Sequence, residues 1–288
     1  MTISVNSAAG AKGNEANFVT DSSGNVVGLA APDGSVAASF RTLGYHFHGW
    51  APGQGNRDAK FYDRSGQLND GAFGANLTAA TAWGTAGFVA TTNPASTDTA
   101  IRIPSLGFDY LGGESLLLFW KGQVTPEGSD ATLIGDTYST AANGFRIVCT
   151  STGKIKVNLY QASGTLSRFG GTTAGTVAAT GETHSFALAI DGTTGKHKFW
   201  VDGAADANFS LGNGFLTLGS GGIIDTTNAV TINIGTGASG STTDGMATLT
   251  QALIILRGRT GLGCPSDIDT LVANMQRDPT RIITAAEW

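Results

Sequence analysis

Apolar and polar residues alternate with a period of two along much of this chain. Ile155, Val157 and Leu159 alternate with Lys154, Lys156 and Asn158, and Phe186, Leu188 and Ile190 repeat the pattern. Phe199 and Val201 follow, then Val230, Ile232 and Ile234. Alternation of this kind predicts half-buried strands of an antiparallel sheet. Two runs are apolar throughout, Leu116 to Trp120 and Leu253 to Leu256. They suit strands covered on both faces. The pairs Asn143-Gly144, Asp191-Gly192, Asp202-Gly203, Asn213-Gly214 and Asp244-Gly245 punctuate these segments. Gly reaches positive φ without steric penalty and Asx tolerates it, so these are turns. The clearest hairpin is centred on Asp191 to Gly195. One helix is predicted where Ile268, Leu271, Val272 and Met275 fall at i, i+3, i+4 and i+7. Pro265 and Ser266 precede it, Asp267 and Asp269 occupy its first turn, and Asp278-Pro279 stops it.

The first forty residues differ. They are small, polar and rich in turn chemistry, with only Val26 to Leu29 as an apolar stretch. Strand signals and aromatic residues begin near Gly44. The expected division is an N-terminal arm over 1–43, ordered by a partner or lying on the main domain, and a β domain over 44–288. The Gly170–Gly181 region reads as long loops or weakly specified edge strands, with side chains small enough for close packing between subunits.

Composition narrows the function classes. Of 288 residues, 41% are hydrophobic, enough for a sizeable core, while only 14% are charged. Seventeen Lys and Arg against a net charge of -5 leave no electrostatic footprint for nucleic acid. No apolar run approaches the roughly 18–20 residues that span a bilayer. Met1 to Gly13 has no apolar block, so neither membrane insertion nor a secretion signal is expected. Two cysteines, Cys149 and Cys264, make neither a disulfide framework nor a zinc site, and free thiols are the favoured expectation over one bridge.

The order of segments resembles the laminin-G-like, concanavalin A-like jelly-roll superfamily. Phe61 to Gly71 looks like the family's D-x-S-G-x-x-N-D-G phrase, and Ile101 to Pro104 with Ser115 to Lys121 looks like its first core strands. Gly144 to Ile147 with Gly153 to Ile155 is similar to the next hairpin. His184 to Gly192 and Phe199 to Gly203 resemble its strand pair ending at a D-G turn. Asn233 to Gly235, Asp244-Gly245 and the last apolar strand complete a match over roughly four-fifths of the chain. The resemblance implies an all-β, two-sheet antiparallel jelly-roll sandwich of about twelve or more strands. The arm and one short C-terminal helix are added to it. Members of such a fold bind glycans, bind proteins, cleave polysaccharides or only build surfaces. A second resemblance lies in Phe18 to Leu29 and Pro32 to Gly34, which look like N-terminal phrases of bacteriophage virion proteins.

Candidate chemistry follows from these resemblances. Glycoside hydrolysis needs two carboxylates ~5–5.5 Å or ~6.5–9.5 Å apart. The E-x-D-x-x-E strand of the superfamily's hydrolases is missing, and Glu15, Glu114, Glu127, Glu182 and Glu287 are widely scattered. No G-x-S-x-G elbow is present either. His184 and His197 flank the Asp191 hairpin and are expected on its exposed faces; His46 and His48 are expected as a surface pair. Laminin-G-like domains hold calcium at the sandwich rim, where the ion takes about six to eight oxygen ligands. Asp136 and Asp244 are the positions that would supply them. Exposed tryptophan is the usual sugar platform; Trp120 reads as core, and Trp50 and Trp200 are the glycan-binding candidates. The combined expectation is a non-enzymatic phage virion structural protein, displayed on capsid or tail, contacting surface glycans and assembling as a homo-oligomer. Its arm would dock other virion proteins, and assembly would take place in the host cytoplasm. The alternatives are a bacterial carbohydrate-binding module and a polysaccharide-cleaving enzyme.

Overall fold

A computed structural model of the chain describes residues 4–6, 18–20, 26–29, 41–46, 60–61, 71–73, 83–84, 87–90, 101–103, 115–125, 130–135, 144–160, 169–173, 182–194, 196–211, 214–217, 232–234, 248–257 and 263–279. Within them the chain is an all-β sandwich with one α-helix. Three short strands come first, β1 (Ser4–Asn6), β2 (Phe18–Thr20) and β3 (Val26–Leu29), paired as a small antiparallel sheet in that order. They are followed by β4 (Arg41–His46), β5 (Lys60–Phe61), β6 (Gly71–Phe73), β7 (Trp83–Gly84), β8 (Gly87–Ala90) and β9 (Ile101–Ile103). The long central strands are β10 (Leu116–Val124), β11 (Ala131–Gly135), β12 (Gly144–Cys149), β13 (Ile155–Tyr160) and β14 (Phe169–Thr172). Then come β15 (Thr183–Asp191), β16 (Lys196–Val201), β17 (Ala204–Ala205), β18 (Ser210–Leu211), β19 (Gly214–Thr217), β20 (Ile232–Ile234) and β21 (Thr248–Arg257). The helix, α1, spans Ile268–Arg277.

The first large sheet has ten strands, ordered β18-β19-β16-β15-β10-β21-β8-β7, with β17 on β16 and β4 on β21. The second has eight, ordered β14-β13-β12-β11-β20-β9-β6-β5. Neighbours in the second sheet are often far apart in sequence; β20 sits between β11 and β9. β4 begins at Arg41 and pairs with β21 from Arg41↔Arg257 to His46↔Ala252. The main sheet therefore takes up residues on both sides of the expected 43/44 boundary.

Register sorts the side chains of the first sheet into two faces. Leu118 lies opposite both Leu188 and Ile255, and Leu188 opposite Phe199. With Trp120, Phe186 and Leu253 they make the inner face, each 0% exposed. Trp120 stacks on Phe186 at 5.4 Å between ring centroids, and Phe186 on Phe199 at 6.2 Å. The alternate residues Leu117, Phe119, Ala187, Ala189, Trp200, Ile254 and Leu256 point the other way and form a second buried cluster with α1. The helix closes it with Ile268, Leu271, Val272 and Met275, the four positions its periodicity marks. Burying four such side chains contributes on the order of 6–12 kcal/mol. This explains the two continuous apolar runs: β10 and β21 lie between the sandwich core and the helix. In the second sheet only the face holding Ile134, Ile147, Ile155 and Val157 is apolar throughout.

Candidate functional site

The first polar cluster holds the helix to the sheet. Lys198 lies on the helix side of β16, opposite Ala189, and its side chain is 1% exposed. Its Nζ sits 2.8 Å from Asp269 Oδ1 and 2.9 Å from Oδ2. The Trp200 indole N–H donates to Asp269 Oδ1 at 2.7 Å, and Lys198 Nζ lies 5.3 Å from that ring's centroid. At the other end of α1, Lys121 Nζ donates to the carbonyl of Gln276 at 3.0 Å, satisfying an orphan acceptor of the last turn. Trp200 is 0% exposed, so it presents no ring face on which a sugar could stack. That corrects its candidacy as a glycan platform. The sequence places Trp200 on the face opposite Phe199, as found, but the helix then covers that face.

The second cluster builds the turn between β15 and β16. Asp191 Oδ1 accepts from the Thr193 N–H at 2.9 Å, the Thr193 hydroxyl at 2.6 Å and the Thr194 N–H at 3.0 Å. Its Oδ2 accepts from the Cys264 N–H at 3.3 Å, which ties the segment leading into α1 to the hairpin. Burial pushes the Asp191 carboxyl up, but these hydrogen bonds outweigh it and hold the group below its usual range. A Cβ on Gly263 would stand 2.8 Å from Asp191 Oδ2, so this close approach requires glycine.

The third cluster surrounds the Asp202-Gly203 turn, where φ is 50° at Asp202 and 80° at Gly203. Positive φ at both central residues is the requirement of a type I′ hairpin. His184 Nδ1 lies 2.8 Å from Asp202 Oδ2 and its Nε2 lies 3.4 Å from Glu182 Oε2. Each ring nitrogen thus faces a carboxylate. Asp202 Oδ1 also accepts from the Ser185 N–H at 2.8 Å. His197 corrects the expectation of exposure. It lies opposite Ile190 on the inner face, is buried, and burial pushes its pKa down to about 4.

The fourth cluster lies on the outer face of the second sheet. Thr132, Arg146, Val148, Lys156 and Asn158 occupy it, alternating with the core residues Ile147, Ile155 and Val157. Arg146 donates from Nε at 3.1 Å and from a terminal nitrogen at 2.6 Å to the Thr132 hydroxyl. Asn158 lies directly opposite Arg146. It is 8% exposed, and its Oδ1 is buried without a hydrogen-bond partner. Lys156 Nζ stands 3.9 Å from Asp130 Oδ2. Sequence reasoning treats Lys154, Lys156 and Asn158 only as the polar half of an alternation. The signal it passes over is that amide and guanidinium groups face each other across β12 and β13.

Trp50, Asp136, Asp244, His48 and Glu114 lie outside the described residues. Among the described residues, no group of three His, Cys, Asp or Glu side chains could hold a metal ion, and no helix is long and apolar enough to cross a membrane. Both cysteines are free. Burial pushes the Cys149 thiol up to about 11, and burial followed by the Asp191 carboxylate pushes Cys264 up further.

No family model matches the chain, and no curated protein matches it. Solved structures of similar fold do. The chain is similar to the sialidase of Trypanosoma rangeli in complex with sialic acid, at 13% identity and a TM-score of 0.52, over 88% of this chain and 36% of that one. The same enzyme bound to a difluorinated nononic acid gives 12% identity and a TM-score of 0.53 over 84% of this chain and 33% of that one. The chain thus spans about a third of the length of these sialidase chains. The CBM40 of a Ruminococcus gnavus sialidase, bound to α2,3-sialyllactose, covers 60% of this chain at a TM-score of 0.41. At these identities the likeness establishes the sandwich fold.

Proposed function

We propose that this chain is a non-catalytic carbohydrate-binding β-sandwich. The observation that carries the reading is the unpartnered Asn158 amide oxygen in the second sheet, with Arg146 directly opposite and Lys156 two residues away on the same face, both half-buried. A buried acceptor without a donor costs about 1–3 kcal/mol, and a sugar hydroxyl is a donor that would recover it. The superfamily resemblance and the sandwich shared with part of the sialidase chains support the same reading. The test is a glycan array probed with the full chain, followed by calorimetry on any hit. Saturable binding that weakens roughly tenfold or more in Asn158→Ala is expected, the size of one lost polar contact. No saturable binding to any glycan would overturn the reading.

The virion role rests on a different observation, the resemblance of Phe18 to Leu29 to phage N-terminal phrases. It is compatible with glycan binding and is tested separately, by looking for this chain among the proteins of purified particles. Its absence there would remove that role.

A further inference from the structure

His184 stands near the start of β15, opposite Gly122 of β10, and its side chain is 17% exposed. Its Nδ1 is in hydrogen-bond contact with Asp202 Oδ2 at 2.8 Å. Its Nε2 is buried and makes no hydrogen bond. Glu182 Oε2 stands 3.4 Å from that nitrogen, within ion-pair reach, on a side chain that is 64% exposed. Asp202 is anchored independently of the ring. Its Oδ1 accepts from the Ser185 N–H, and its own N–H donates to the Ser185 carbonyl at 2.9 Å. The turn it opens rests on the helix: a Cβ on Gly203 would stand 3.4 Å from both Ala273 Cα and Gln276 Cβ.

The number of protons on the ring decides what this arrangement can hold. An imidazole has one N–H when neutral and two when charged, and an ionised carboxylate only accepts. A neutral ring can therefore satisfy one of the two carboxylates. With its proton on Nδ1 it serves the anchored Asp202, a bare lone pair faces Glu182, and that exposed side chain turns to solvent. A charged ring donates to both. Other charged groups of the surrounding elements bond elsewhere. Among the described residues, Lys121 of β10 donates to the Gln276 carbonyl, Asp206 beyond β17 accepts from the Asn208 N–H, and Arg277 of α1 donates to Asn274. The neighbouring amide, Gln123, donates to the Thr183 hydroxyl.

We infer that Glu182, His184 and Asp202 form a proton-operated clip, in which a proton gained at His184 draws Glu182 onto Nε2 and ties the entry of β15 to the Asp202-Gly203 turn. Loss of that proton frees Glu182 and leaves the Asp202 contact in place. Histidine is the side-chain type that changes charge near neutral pH, which suits it to this role. The clip bears on the helix through Gly203, so its closure steadies the corner where β15, the turn and the last turns of α1 meet. It is independent of the carbohydrate-binding reading.

The test follows the full chain by NMR and hydrogen exchange between about pH 8 and pH 5, the range in which histidine side chains gain charge. Nitrogen correlation spectra of the His184 ring should show the Nδ1–H form at the alkaline end and both ring nitrogens protonated at the acidic end. Amides of residues 183–186 and 202–206, corrected for intrinsic exchange rates, should open about two- to fivefold less often at the acidic end, the worth of a partly exposed ion pair. Glu182→Gln should abolish that difference without unfolding the chain, since the side chain is mostly in solvent. His184→Gln should abolish it too, and His197→Gln should preserve it, which separates the clip from the other histidine of this hairpin. A neutral ring protonated on Nε2 would overturn the assignment, because Nδ1 would then have no proton for Asp202. Protection that does not change with pH, or a change that survives Glu182→Gln, would overturn the clip.

Discussion

Removing Asp269 should destabilise this protein by about 3 kcal/mol, because it leaves Lys198 as a buried charge without its carboxylate. Breaking a buried ion pair at one end typically costs ~3–5 kcal/mol. Here the two ends differ: the Lys198 side chain is 1% exposed and that of Asp269 50%. Water already reaches the carboxylate, and truncating it opens a path toward the ammonium, which places the charge penalty near ~2 kcal/mol. The Trp200 N–H also loses its charged acceptor at 2.7 Å, adding about 1 kcal/mol. For a chain of this size the sum corresponds to a melting temperature lowered by roughly 6–9 °C. Urea unfolding of Asp269→Ala, with an unchanged m-value, gives the free energy directly. Asp269→Asn keeps an acceptor for Trp200 and should lose about 2 kcal/mol. The double variant Lys198→Met, Asp269→Asn removes both charges and should recover to within about 1 kcal/mol of the parent, as apolar replacement of buried pairs generally does. A loss below 1 kcal/mol in Asp269→Ala, or a double variant no better than Asp269→Asn alone, would refute the assignment of the cost to an unpaired charge.

His197 gives a pH prediction of definite sign. Its folded pKa, about 4, lies below the ordinary 6.5, so the unfolded chain binds the proton first. Stability is therefore fully present above pH ~6.5 and falls as the pH drops toward 4, by on the order of 3 kcal/mol for this group. His197→Gln should flatten that part of a stability-against-pH curve; an unchanged slope would count against it. Gly263→Ala should cost about 1–2 kcal/mol by driving a methyl group onto Asp191 Oδ2 and loosening the clip to Cys264; a melting curve equal to the parent's would show that the loop yields instead. The raised Cys149 and Cys264 thiols should resist iodoacetamide at pH 8 in the native protein and react fully in urea, read by mass spectrometry. Rapid native alkylation of either one would contradict its burial.

The fold was legible where one physical constraint acts along the chain. Period-two alternation over Lys154–Leu159 and the i, i+3, i+4, i+7 spacing from Ile268 to Met275 are both local, and both elements formed as expected. The Asp202-Gly203 turn is local too, set by the need for positive φ at two successive residues. What could not be read is what covers a face. Trp200 and Lys198 alternate with Phe199 and Val201, which establishes that they point away from the core but not that a helix some seventy residues later lies over them. His197 failed for a related reason. Its place beside the turn suggests an exposed hairpin shoulder, yet the alternation with Phe199 and Val201 already sets it on the inner face, and the structure buries it there opposite Ile190. Strand order in the second sheet is the extreme case. Arg146, Gly135 and Asn233 are far apart in sequence, and the non-sequential strand order β12-β11-β20 alone brings their backbones into register.

The two sheets therefore divide the work of the molecule. The outer face of the first sheet is occupied by α1 across β10, β15, β16 and β21, and its polar groups are committed to holding that helix. A ligand cannot use it without displacing an apolar contact worth several kcal/mol. The outer face of the second sheet instead carries Arg146, Lys156 and the Asn158 amide. Stability and binding should then separate by position. Asp269→Ala should lower the melting temperature and leave glycan affinity unchanged, since the Lys198 pair belongs to the first sheet and the helix and Asn158 to the second sheet. Asn158→Ala should do the reverse, because its Oδ1 has no hydrogen-bond partner within the protein to lose. Measuring both quantities on both variants checks the division, and loss of affinity in Asp269→Ala at a temperature where it remains folded would show that the two faces are coupled through the core.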